Sequence, residues 1–119
     1  MNEIVLKVAS PAEAVQIVSA LLRSGFHPTE AAINYNLNKE PSVKLSKVTD
    51  FPLILTGTLN GHDMRVAVSQ LTIGRPCEGS YALRKILKTA EFYFEEKDLF
   101  TTRRFNPDTN RISLSIAKR

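Results

Sequence analysis

The amino-acid sequence predicts an α+β domain: an antiparallel sheet of about five to six strands, built from two hairpins plus an N-terminal strand, with two main helices packed on one face. Three observations lead there. Ser10-Pro11-Ala12-Glu13 opens a run of apolar residues at helical spacing, and a second helical stripe follows Ser80. Around these, apolar residues alternate in paired runs separated by turn residues. Strands grouped in hairpins, rather than alternating singly with helices, favour antiparallel pairing.

Residues 3 to 9 alternate and suit the first strand. The first helix is expected over about residues 11 to 24: Ser10 caps it, Pro11 takes the first helical position, Glu13 completes a capping box, and Gly25 supplies the stop. Ala14, Val15, Ile17, Val18, Leu21 and Leu22 share its apolar face. His27-Pro28-Thr29-Glu30 then reads as a restart, with Thr29 capping a short helix or loop through Tyr35.

Asn60-Gly61 between Leu53, Leu55, Leu59 and Met64, Val66, Val68 predicts a hairpin over roughly 51 to 73. Apolar parity shifts between Val68 and Leu71, which points to a bulge or bend near Ser69-Gln70. Val43, Leu45 and Val48 suggest a further strand ahead of the hairpin. From a cap at Ser80, Leu83, Leu87, Ala90 and Phe94 form the stripe of the second helix, flanked by Ile86 and Tyr93. A closing hairpin joins Leu99 to Phe105 with Arg111 to Ala117 across the turn Asn106-Pro107-Asp108-Thr109-Asn110.

At 119 residues the chain fits one domain, 1–119, and no apolar run approaches the length of a membrane span. The lone Cys77 excludes an internal disulfide and suits a reducing compartment. The alternating N-terminus does not resemble a secretion signal, so a cytoplasmic location is expected. The net charge of +4 resides in the second half: residues 1–60 hold five basic and five acidic side chains, the remainder eleven and seven. Such asymmetry draws polyanions or acidic protein surfaces.

Two basic clusters stand out. The segment Gly74-Arg75-Pro76-Cys77-Glu78-Gly79-Ser80 feeds a helix carrying Arg84, Lys85 and Lys88 early in its course. Backbone amides near Gly79 and Ser80, with Arg75, Arg84, Lys85 and Lys88, suit an anionic group. A nucleoside triphosphatase loop is rejected, since that pattern needs Lys and then Ser or Thr after its second glycine, where Ser80 and Tyr81 stand. The second cluster is Arg103, Arg104 and Arg111 on the closing hairpin, and Tyr81 and Phe105 are candidate stacking surfaces for bases. The competing structural accounts are a solvated helix face with Lys88 paired to Glu91, and edge-strand cations that block aggregation.

Catalytic and metal chemistry find no pattern. His27 and His62 are isolated in sequence, Cys77 has no base at a defined spacing, and Glu91, Glu95, Glu96 and Asp98 read as an exposed acidic helix end. The expectation is therefore a non-enzymatic, homo-oligomeric protein that binds a nucleotide or nucleic acid, with sequestration as the action such binding allows, and without cofactor or metal. Two alternatives stand beside it. One is an interaction module or inhibitor docking on an acidic protein. The other is helix-turn-helix DNA binding by residues 11–37. Phe26, Ile33 and Tyr35 are candidate oligomer contacts.

Overall fold

The computed structural model describes residues 2–36, 51–71, 78–94, 105–106 and 111–117. The chain forms β1 (Asn2–Leu6), α1 (Pro11–Arg23), β2 (Phe26–Asn36), β3 (Leu53–Leu59), β4 (His62–Val68), α2 (Glu78–Thr89), β5 (Phe105–Asn106) and β6 (Arg111–Ala117). β1-β4-β3-β2 is a four-strand mixed frame, and β6 and the two-residue β5 extend it beyond β2.

The antiparallel expectation is corrected at β1, which pairs parallel to β4 with Ile4 opposite Val66 and Leu6 opposite Val68. The reason is connectivity. α1 carries the chain from β1 across to β2, and the β3-β4 hairpin folds back into the gap, so β4 runs in the direction of β1. The preferred right-handed crossover then fixes which face α1 covers. α2 packs against α1, and both helices share one core with the sheet.

Local chemistry explains each element. Ser10 is extended (φ −150°) and its hydroxyl accepts the Glu13 amide at 3.2 Å, with Pro11 in the first turn, so α1 starts where its cap signal lies. Ala14 and Val18 are its buried contacts. β3 and β4 meet at Asn60-Gly61, whose φ values of 53° and 83° give the left-handed pair of a type I′ turn between Leu59 and His62. α2 ends in a Schellman motif: the Phe92 amide donates to the Leu87 carbonyl at 2.9 Å, the Glu91 amide to Lys88 at 3.0 Å, and Glu91 takes φ 66°. Phe92 and Leu87 are both buried, the apolar contact that accompanies this stop.

Several expectations change. The stretch from Thr29 through Tyr35, expected as helix or loop, lies within strand β2, so the helix-turn-helix alternative loses its second helix. Phe26 and Ile33 are 2% and 1% exposed and belong to the core, which removes them as oligomer contacts. The second helix ends at Thr89, short of Phe94, and Tyr93 beyond it is 53% exposed. The parity change after β4 comes from Gln70 at φ 65°, which turns the chain so that Leu71 re-enters the core. The suggested strand at residues 43–48 lies outside the described residues.

Candidate anion-binding face of helix α2

α2 begins at Glu78, so Ser80 sits inside its first turn rather than capping it. A carboxylate at the first helical position already complements the positive end of the helix dipole. Gly79 and Ser80 are buried, Ser80 at 2% exposure, so the side of the first turn that carries them faces protein, not solvent.

The cations of this helix part company. Arg84 lies on the buried side with Leu83 and Leu87, 8% exposed, and its Nε is sealed from solvent. Lys85 and Lys88 are exposed. Helical spacing makes the exposed stripe Glu78, Tyr81, Lys85 and Lys88, at steps of three and four residues. Lys85 and Lys88 stand about 4.5 Å apart along the axis, at 1.5 Å per residue.

Tyr81 is the notable member. Its side chain is 59% exposed, among the few large apolar groups the structure leaves in water. The Arg84 guanidinium carbon sits over the ring, 5.3 Å from its centroid, a cation–π arrangement worth on the order of 1–2 kcal/mol when the cation is desolvated. An inward-reaching Arg therefore holds an outward-facing aromatic in place, three residues earlier on the same helix. The sequence signal for this pair was the spacing itself, but the spacing alone does not say which of Arg84, Lys85 and Lys88 turns inward.

Of the other candidates, Arg75, Arg103 and Arg104 lie outside the described residues. Arg111 opens β6, opposite Asn36 of β2 and Asn106 of β5. Phe105 opens β5, opposite Ile112. In the row Leu6, Val68, Leu53, Ile33 and Leu114, Arg111 lies three residues beyond Leu114, at the end of the sheet where β4 stops and the chain departs toward α2.

Among the described residues, no three of His, Cys, Asp and Glu gather as a metal would require, and no helix is long and apolar enough to cross a membrane. Neither a family model, nor a curated protein, nor a solved structure matches this chain.

Proposed function

We propose that this is a non-enzymatic protein that binds an anionic ligand of the nucleotide or nucleic-acid class, with the exposed face of α2 as its contact surface. The carrying observation is Tyr81, exposed to 59% while Arg84 fixes its ring from within the fold. A pre-set aromatic loses little rotamer freedom when a base stacks on it, which lowers the entropy of association. Lys85 and Lys88, exposed about one and two turns further along, would meet phosphates beside a stacked base. Arg84 has a positioning role in this reading, because its charge is directed into the fold. Arg75, Arg103, Arg104 and Arg111 add to the positive charge of the second half of the sequence, which draws the polyanion in.

A convex helix ridge suits a strand better than a single nucleotide, which needs a concave pocket. The test is fluorescence anisotropy with labelled single-stranded DNA and RNA of about 20 nucleotides at two salt concentrations, beside a thermal-shift screen of mononucleotides. Saturable, salt-weakened oligonucleotide binding is expected. Tyr81→Ala should weaken it by about 5- to 100-fold, the range for loss of one stacked base. Lys85→Glu with Lys88→Glu should weaken it by at least about 10-fold and flatten the salt dependence. Absence of binding to every oligonucleotide and of a thermal shift with every nucleotide would transfer the basic face to an acidic protein partner.

A further inference from the structure

β1 is an outer strand of the sheet, and among the described residues nothing pairs with its far side. Its backbone phase follows from two hydrogen bonds at its end. The Ser69 amide donates to the Leu6 carbonyl at 3.0 Å, and the Val8 amide donates to the Ser69 hydroxyl at 2.9 Å. Even-numbered residues therefore direct their peptide groups toward β4. Peptide groups alternate sides along a strand, so Glu3, Val5 and Lys7 present theirs to the open edge.

The same three residues carry the exposed side chains: Glu3 and Lys7 are exposed, and Val5 is 44% exposed, among the few large apolar residues left in water. Ile4 and Leu6 point to the helix-covered face, packed on the core but only partly buried.

We propose that this edge pairs with the β1 edge of a second copy of the chain, antiparallel and centred on Val5. The register is self-complementary. With Val5 opposite its own counterpart, Glu3 faces Lys7 of the other copy and Lys7 faces Glu3. Each of these is a hydrogen-bonded pair, because all of the residues present their peptide groups outward. Ile4 and Leu6 face one another across the non-bonded positions, where side chains approach most closely, and cover each other's residual apolar surface. Arg65, 3.9 Å from Glu3 within one copy, would share that carboxylate with the incoming Lys7, which lowers the gain from each Glu3–Lys7 pair. A shift of the register by one residue places inward peptide groups opposite outward ones and forfeits the ladder. A strand of this length buries little area, so the dimer is a weak, concentration-dependent one.

The experiment is sedimentation velocity from about 1 μM to about 0.5 mM, with circular dichroism melts on the same samples. The wild-type chain is expected to pass from monomer to dimer over that range. Val5→Pro removes an outward amide and leaves the β1–β4 ladder intact, so it should melt cooperatively and stay monomeric. Lys7→Glu sets carboxylates against each other twice per dimer and should weaken association by about 10-fold. Mixing that chain with a Glu3→Lys chain sets opposite charges face to face again and should recover a heterodimer, which keeps the test decisive even if Val5→Pro fails to fold. A wild-type chain that is monomeric throughout, or a dimer indifferent to both Val5→Pro and Lys7→Glu, overturns the proposal.

Discussion

Ser69 shows how much a single hydroxyl can secure. It is 5% exposed, follows the last residue of β4, donates its amide to Leu6 and accepts the Val8 amide on its hydroxyl, so it stitches the parallel β1–β4 pairing across 61 positions of sequence. Val8 is itself buried at 6% exposure. Removing the acceptor leaves a buried amide with no partner, a loss of about 1–3 kcal/mol. Ser69→Ala is therefore expected to lower unfolding stability by that amount in urea titration with an unchanged slope, and Ser69→Thr, which keeps the oxygen, should lose less. Equal stability of the Ala variant would mean that Val8 finds another acceptor. None of this was legible beforehand: the sequence located a bend at Ser69-Gln70 from the parity shift, but the partner strand lies too far away for any local pattern to reveal. The α2 cations were legible only as a group. Arg84 separates from Lys85 and Lys88 because its position falls on the stripe with Leu83 and Leu87, and the long guanidinium then reaches Tyr81.

At the scale of elements, β2 was the one most disguised in the sequence. Its inward residues are Phe26 and Pro28 up to the bulge and Ala31 and Ile33 after it, so the apolar period changes phase in mid-strand. Thr29 is the extra residue, between Pro28 opposite Gly57 and Glu30 opposite Thr56, and its hydroxyl donates to the Thr56 carbonyl at 3.2 Å. Read locally, a Thr before Glu after a Pro signals a helix start; the demand for Ala31 and Ile33 in the sheet core overrides it. Pro28 is tolerated because, among the described residues, β6 pairing begins only at Glu30 and none ladders against the Pro28 side of β2. By contrast α1 and the β3-β4 turn carry complete local signals and form as those signals dictate. The bulge also sets a sharp requirement on β3. A Cβ at Gly57 would collide with the His27 carbonyl oxygen and lie 2.6 Å from Pro28 Cα, both backbone atoms that cannot rotate away. Gly57→Ala should lose about 3 kcal/mol or more, whereas Gly61→Ala, strained in φ but with open space around it, should lose about 1 kcal/mol. Chemical denaturation of the two variants checks the ordering, and a Gly57→Ala chain no less stable than Gly61→Ala contradicts the close approach.

For the whole molecule, the strand order places β3 and β2 inside the sheet and β1 at its margin, and this predicts a gradient of local stability. Leu53, Leu55 and Val66 are fully buried and lie on strands paired on both sides, so their amides open only with the global unfolding of the core. Among the described residues β1 is paired on one side alone, and its amides divide by phase. Those of Ile4 and Leu6 face β4 and should exchange slowly at any protein concentration. Those of Glu3, Val5 and Lys7 face the open edge and should exchange fast in the monomer. If two copies join through this edge, the second set acquires protection as concentration rises while the first set barely changes. Amide exchange followed residue by residue at a dilute and a concentrated condition reads both statements at once. Uniform exchange along β1 would contradict the backbone phase deduced from Ser69. An odd–even alternation that ignores concentration would keep that phase but refute pairing between copies. Adding an oligonucleotide to the same measurement separates the two proposed surfaces, because a ligand on α2 should slow amides around Tyr81 and leave the alternation in β1 unchanged.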